Sequence, residues 1–383
     1  MSIRGQVAVA GVFEHPTRFA PDKTSYQLQA ESARGALADA GLTVRDVDGF
    51  CTSGVGPIGI LSLAQHLDLH PRWLDSQAIG GSSFVSHCLH AAAAIAAGLC
   101  DVVLVTYGSS AASERFAIGT GGGGLGDPPD HFELPFGPTI VGSYALVAQR
   151  HMHEYGTTSE QLAEIAVTMR RHAGLNPQAK YRDPISVDDV LASRVISSPL
   201  HLLDCCIISD GGGALVLTSV ERARDLAQTP VVILGGAEAV QHHGIGRRDL
   251  LDIAARQSGP LAFQRAGLTH ADVDCAMIYD SYTITVLATL EALGFCAPGE
   301  GGAFCADGRI GLGGALPVNT DGGGLSSNHP GMRGMFLVIE ATRQLRGQRG
   351  PAQVPDAEIA CVHGTGGMLG QRHSGVTMLL GRA

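Results

Sequence analysis

Tyr279 ends an apolar run in YDSYT, His329 sits in SNHPG, and His363 opens HGTGG. Each side chain can give or take a proton, and a positioned acid–base group contributes roughly 10²–10⁴-fold to a rate. A free phenol has a pKa of about 10, so Tyr279 needs positive charge or hydrogen-bond donors beside it to act as a base. His329 follows a glycine turn and precedes Pro330, a residue suited to the first position of a helix. Two glycine-rich turns accompany them, Gly80–Gly81–Ser82–Ser83 and Gly364–Thr365–Gly366–Gly367. Backbone N–H groups at such turns can hold a developing oxyanion. Gly81, Ser82, Ser83, Gly364 and Gly366 are therefore candidate oxyanion or substrate contacts.

The remaining titratable groups read as structural. Tyr282 suits packing or a pocket wall, and Asp280 suits a cap for the helix that begins at Thr283. His87 and His90 share a helix with Cys88 and face a sheet or a partner. His151 and His153, and His242 and His243, lack a completing ligand set, so no metal is expected. The glycine run at 119–126 invites a phosphate-loop reading, but no GK[ST] follows, and it reads as a lid.

A repeated phrase shows what positions these groups. Residues 40–48 read AGLTVRDVD and residues 266–274 read AGLTHADVD, differing at two positions. Each copy ends a helical pattern and leads into a short apolar segment, the signature of an internal duplication. The first half, residues 1–225, is predicted to hold strands at 6–13, 47–52 and 102–106 and helices at 25–40 and 84–97. The second half, residues 226–383, repeats the order: a helix ending at Ala266, a strand at 275–279, helices at 283–293 and 332–345, and strands at 359–362 and 376–380. An insertion over about 111–205 in the first half reads as a cap or loop region over the site. Strands alternating with helices, with buried β-branched runs, predict an α/β class. The site is expected where the two halves face each other.

Hydrophobic residues make up 45% of the chain and charged residues 16%, which favours a large buried core over disorder. The formal charge is −10 and the basic clusters are short (Arg170 with Arg171, Arg247 with Arg248), which argues against a nucleic-acid partner. Local arginines and helix N-termini can still meet an anionic ligand. The 9 cysteines show no C-x-x-C spacing and sit mostly in apolar runs, as free thiols do in a reducing compartment. Residues 1–30 hold no signal-peptide pattern, and the small-apolar run at 91–98 is far too short to span a bilayer. A soluble, cytoplasmic protein with no membrane span is expected.

Five segments carry a family resemblance. Residues 80–104, HAGLNPQA at 172–179, SPLHLLDCCIISDGGGALVLTS at 198–219, YDSYTITVLATLEALGF at 279–295 and PVNTDGGGLSSNHPGMR at 317–333 together resemble the thiolase superfamily. The nearest type is the sterol-carrier-protein or lipid-transfer-protein thiolase. The resemblance covers nearly the whole chain, and its last two segments are the specific ones. It implies a thiolase-like fold of two duplicated βαβαβαββ halves in a five-layer αβαβα body. It also implies a homodimer and an acyl-CoA substrate, with coenzyme A as part of that substrate and no separate cofactor.

The family places a nucleophilic cysteine where a strand meets the amino end of a buried helix, a position that lowers a thiol pKa. Here that position falls on Gly81 or Ser82. Cys88 lies about two turns further into the helix and reads as a core thiol. A hydroxyl at Ser82 is hardly ionised without an adjacent base. The family's second cysteine falls on Gly364, and His363 beside it either takes part in catalysis or closes the turn. Tyr279 occupies the family's Asn or His position, and His329 keeps the histidine of its GHP motif.

Phenol and imidazole thus stand where the family offers thiol. Acyl transfer through a thioester intermediate lacks its nucleophile, whereas retro-aldol cleavage of a β-hydroxyacyl-CoA needs only an acid–base group and oxyanion stabilisation. The leading expectation is a carbon–carbon lyase with Tyr279 as the acid–base group and His329 as oxyanion donor or proton relay. This resembles the steroid side-chain aldolases of the lipid-transfer group, which work with a small OB-fold companion, often bearing a zinc ribbon. A second expectation is a thiolase or acetyl-CoA acyltransferase with another nucleophile, diagnosed by iodoacetamide labelling of a cysteine near Ser82. A third is a non-catalytic acyl-CoA-binding subunit, diagnosed by tight CoA binding without turnover.

Overall fold

A computed structural model describes residues 3–56, 58–115, 139–242 and 246–383, and the glycine run at 119–126 and His243 lie outside them. The strands are β1 (Val7–Glu14), β2 (Gly49–Thr52), β3 (Trp73–Asp75), β4 (Val102–Ser109), β5 (Val195–Ser197), β6 (Leu200–His201), β7 (Gly211–Ser219), β8 (Val231–Gln241), β9 (Cys275–Ile278), β10 (Ile359–Met368) and β11 (Gln371–Arg382). The longer helices are α1 (Ser25–Ala40), α2 (Gly59–His66), α3 (Ser83–Ala96), α4 (Ile140–Tyr155), α5 (Ser159–Leu175), α6 (Ala255–Ala266), α7 (Thr283–Leu293) and α8 (Gly334–Leu345).

Both copies of the repeated phrase fold alike. α1 ends on Gly41 at φ 74° and α6 on Gly267 at φ 64°, left-handed positions that glycine adopts without a Cβ penalty. A one-turn helix follows each, and its threonine and aspartate cap one another: Thr43 Oγ1 donates to Asp46 Oδ2 at 2.9 Å and Thr269 Oγ1 to Asp272 Oδ2 at 2.8 Å. β2 and β9 start directly afterwards.

The sheet runs β3-β2-β4-β7-β1-β8-β11-β10-β9, with β5 and β6 as a separate hairpin. One pattern occurs twice in it. β2 pairs in parallel with β3 and β4, β4 pairs antiparallel with β7, and β7 with β1. Likewise β9 pairs in parallel with β10 and, through the bridge Ala276↔Val318, with a fifth segment; β10 pairs antiparallel with β11, and β11 with β8. The two patterns meet at β1 and β8 through the register pairs Ala8↔Val232 and Val9↔Val231 alone.

Side-chain alternation along the strands then builds the layers. One face of each pattern buries Val103, Val105, Leu215 and Leu217 or Met277, Val362, Val376 and Met378 in a shared core with Phe84 of α3 and Phe336 of α8. The outer face of the first pattern packs on α1 and α2, and that of the second on α6 and α7. This is the layered α/β architecture that the resemblance implies, with α3 and α8 as the innermost helical layer. Burying a side chain the size of Phe contributes roughly 1.5–3 kcal/mol, so this inner layer is a large source of cohesion.

The insertion contributes α4, α5, the short helix Val187–Ala192 and the β5–β6 hairpin, which lie on the second pattern. His151 of α4 fixes it there, reaching Thr157 Oγ1 at 2.7 Å and Glu291 Oε2 of α7 at 3.0 Å. One expectation fails here. Residues 363–367 form no turn: β10 continues through HGTGG, pairing Gly364 with Val376, Thr365 with Gly375 and Gly366 with Ser374. The chain reverses only after Met368.

Candidate active site

β9 stops at Ile278 because Asn319 caps it on its open side, accepting from Ile278 N at 2.8 Å and donating to Ile278 O at 2.7 Å. Tyr279 extends the ladder by one bond, its N–H donating to His363 O at 3.0 Å. The phenol then turns into the inner layer and meets His329. Tyr279 Oη lies 2.8 Å from His329 Nε2, with the two rings at 86°. Both residues are buried, at 4% and 3% exposure.

His329 is held by its backbone. Its N–H donates to Ser209 Oγ at 3.0 Å and its carbonyl accepts from Ser209 N at 3.2 Å. Tyr107 of β4 pins the next residues, donating to Pro330 O at 2.6 Å and accepting from Met332 N at 3.0 Å. Before it, Gly323–Ser327 makes a single wide helical turn. Asp280 supports that turn, accepting from Gly324 N at 2.7 Å and Leu325 N at 3.1 Å. The expected cap on α7 is therefore not its role, and Tyr282 occupies the N-cap position. Tyr282 packs on Tyr144 of α4 at 4.4 Å between ring centroids.

Burial governs the charge states. It raises the Tyr279 pKa well above the usual phenol value, and the neighbouring Cys206, Tyr144 and Tyr107 add to the effect. Burial likewise lowers His329 to about 3, assisted by the positive Arg333. The resting pair is a neutral phenol against a neutral imidazole. Either the phenol donates to Nε2 or Nε2–H donates to the phenol oxygen. In both cases Nδ1 of His329 is buried without a partner among the described residues, an uncommon state for a buried polar atom. Asp280 is raised to about 6 by burial, against the pull of Arg333.

The candidate oxyanion residues do come together, as a close-packed contact. A Cβ on Gly81 would stand 2.5 Å from Cζ of Tyr279, and one on Gly364 would stand 3.0 Å from the Ser82 Cα. A Cβ on Gly366 would meet Ser374 Oγ at 2.5 Å. The amino end of α3 thus rests directly on β10, and the glycines are what permit it. Ser82 is fully buried, with Oγ 3.0 Å from Ile79 O and 2.7 Å from Ser374 Oγ. No base adjoins it. Ser83 Oγ donates to Gly80 O at 2.7 Å and accepts from Ile79 N at 3.0 Å, tying the turn internally.

His363 does not join Tyr279 and His329. Alternation along β10 turns Gly364 toward α3 and His363 to the outer face. There His363 Nδ1 lies 2.9 Å from Thr377 Oγ1, which contacts Ser258 of α6. Burial lowers its pKa to about 3, with His373 adding to the effect.

None of the nine cysteines stands at the amino end of α3. Cys88 is fully buried and its thiol is pushed up to about 12. Cys206 was not foreseen: it is half-buried beside Tyr279, brought there by the bridge Cys205↔Tyr282 and by Cys206 N donating to Ser281 O at 2.9 Å. Burial pushes that thiol far above its ordinary value as well. Arg333 was also unforeseen. It is fully buried and reaches Asp321 Oδ2 at 2.6 Å and Asn328 Oδ1 at 2.6 Å. Its signal was present in the sequence, since an arginine in an apolar setting needs carboxylates, and Asp280 and Asp321 are the nearby acids. Among the described residues no group of three or more ligands could hold a metal, and no helix is long and apolar enough to cross a membrane.

Residues 236–382 match the family model for the thiolase C-terminal domain-like unit. The chain is 37% identical over 359 residues to a steroid side-chain-cleaving aldolase of Thermomonospora curvata, covering 90% of this chain and 91% of that one. It is also 37% identical over 360 residues to the 17-hydroxy-3-oxo-4-pregnene-20-carboxyl-CoA lyase of Mycobacterium tuberculosis, covering 90% and 92%. Among solved structures, the Ltp2-ChsH2(DUF35) aldolase superposes with a TM-score of 0.90 at 34% identity, over 99% of this chain and 98% of that one.

Proposed function

Because the chain belongs to the thiolase superfamily, we propose that it is a carbon–carbon lyase that cleaves a β-hydroxyacyl-CoA by a retro-aldol reaction. The observation that carries this reading is the 2.8 Å contact of Tyr279 with His329 beside the amino end of α3, an end that itself carries no cysteine.

His329 takes the proton of the substrate's β-hydroxyl. The O–H electron pair becomes the second bond of a carbonyl, the Cα–Cβ bond breaks, and its electrons pass into the thioester as an enolate. Tyr279 returns a proton to Cα. Transfer from His329 to Tyr279 across their hydrogen bond restores the pair. Neither the imidazolium nor the phenolate is stable in this buried setting, so the two transfers are coupled and the pair stays neutral overall. The positive end of α3, at Gly81–Ser82–Ser83, lies beside the phenol and favours the enolate oxygen. Gly364 and Gly366 seat that end. His363 braces the β10–β11 hairpin.

The reaction consumes no cofactor beyond the coenzyme A of its substrate. A steroid acyl-CoA with a tertiary β-hydroxyl is the substrate class suggested by the named relatives. We assign the working unit as a homodimer with a small companion of the OB-fold, zinc-ribbon type, in keeping with the DUF35 component named in the solved aldolase.

The test is incubation with 17-hydroxy-3-oxo-4-pregnene-20-carboxyl-CoA, with and without a DUF35 companion, followed by chromatography. The expected products are a steroid ketone and a shortened acyl-CoA. Tight CoA binding with no ketone from any β-hydroxyacyl-CoA would instead mark a non-catalytic binding subunit.

A further inference from the structure

We infer that Arg333 is the positioning residue of the Tyr279–His329 pair, one guanidinium holding the chain neighbour of each partner. The inference rests on the proposed lyase reading for its catalytic meaning and on the geometry for its substance. Arg333 Nη1 donates to Asn328 O at 3.0 Å and to Asn328 Oδ1 at 2.6 Å, and Asn328 directly precedes His329. Arg333 Nε stands 3.3 Å from Asp280 Oδ1 as a buried ion pair without a hydrogen bond, and Asp280 directly follows Tyr279. Nη2 closes on Asp321 Oδ2 at 2.6 Å.

Each neighbour is one planar peptide unit from its partner, so tying Asp280 and Asn328 to one flat cation narrows the positions in which phenol and imidazole can meet. The cluster is anchored further out: Asn328 Nδ2 donates to Glu14 Oε1 at 2.5 Å, and Glu14 pairs with Arg18 at 2.5 Å and Arg343 at 3.0 Å. His329 itself faces Tyr279 from the end of β9, Ser209 from the loop before β7, and Arg333 from the start of α8. Asp280, Asp321 and Glu14 lie behind the guanidinium. Burial first, and this positive charge second, keep the imidazole neutral.

A lysine in place of Arg333 supplies the charge as a point and cannot bridge both handles. The experiment is therefore R333K, with R333M/D321N as a charge-balanced companion, since removing one ion of a buried pair alone strands the other. Three measurements are made on each: thermal unfolding, steady-state cleavage of the β-hydroxyacyl-CoA, and the ¹⁵N spectrum of the His329 ring in the substrate-free protein. We expect R333K to fold, to lose about 10²-fold in kcat with little change in KM, and to move the Nε2 signal toward that of an imidazole without a partner. In R333M/D321N the His329 pKa should climb by about 1–3. An unmoved Nε2 signal in R333K with an unmoved His329 titration in R333M/D321N overturns the inference, whatever the substrate. If the unaltered protein cleaves no β-hydroxyacyl-CoA, the lyase reading fails alone, and the spectra still decide whether Arg333 holds the pair.

Discussion

The Tyr279 ring fills the space that a side chain at Gly81 would need, with Cζ only 2.5 Å from an ideal Cβ there and Cε2 closer still. The phenol is seated against backbone from the opposite half of the molecule. G81A should push it off His329. We expect about 10²-fold loss of kcat and about 1–3 kcal/mol of stability from overpacking, read by turnover and thermal unfolding. Full activity in G81A would show that the phenol's seat is irrelevant to the chemistry.

Tyr279→Phe removes the proton and keeps the ring. Turnover should fall roughly 10²–10⁴-fold. Stripping the last partner from a buried imidazole should also cost about 1–3 kcal/mol, seen as a lower unfolding midpoint in denaturant. A variant that turns over normally on a verified substrate takes the phenol out of the mechanism.

The pH dependence should come from Asp280 and not from His329. Asp280 is raised to about 6, so its carboxylate is charged above that pH and neutral below it. Arg333 and the amides of Gly324 and Leu325 depend on that charge. kcat should therefore drop as pH falls through about 6, whereas His329, at about 3, titrates too low to contribute. A folded pKa above the ordinary carboxylate value of 3.8 means that Asp280's protonation favours the fold most below that value, and the benefit fades as pH rises through about 6. The activity loss is thus not acid unfolding, and circular dichroism should show native protein at pH 5. Asp280→Asn should flatten the limb; an unchanged limb in that variant assigns it elsewhere.

Every cysteine is pushed above its ordinary thiol pKa, by burial first: Cys100 to about 11, and Cys88, Cys205, Cys296 and Cys361 to about 12. Iodoacetamide attacks thiolate, so alkylation should be slow everywhere and inactivation should not follow one site. Cys206→Ser should keep most of the turnover. Rapid labelling of a single cysteine, matched mole for mole by lost activity in peptide mapping, would restore the acyl-transfer reading.

Much of this arrangement was legible in the residues. The twin phrases marked matching helix ends and strand starts, because glycine at a left-handed C-cap and a Thr–Asp cap are local devices that need no tertiary context. Tyr279 and His329 stood out because strand ends and glycine turns expose polar side chains. What failed was non-local. HGTGG has turn composition, yet its glycines serve a strand whose inner face must admit the end of α3. His363 was misplaced by the same error, since a strand imposes alternation and a turn does not. Asp280 has the right offset to cap α7, but two amides more than forty positions later hold it instead. Cys206 carries no spacing signal, and Arg333 only the general need of an arginine in an apolar setting for carboxylates; the folded chain alone brings them to the pair.

The seam between β1 and β8 consists of two paired positions, Ala8 with Val232 and Val9 with Val231. Phenol and imidazole are rooted on one side of it, and the glycine they lean on belongs to the other. On the proposed reading neither lobe owns a working centre. Loosening the lobes by even a small rotation would disarm the protein long before either lost its own shape, so chemistry here serves as a gauge of how tightly the two are clasped.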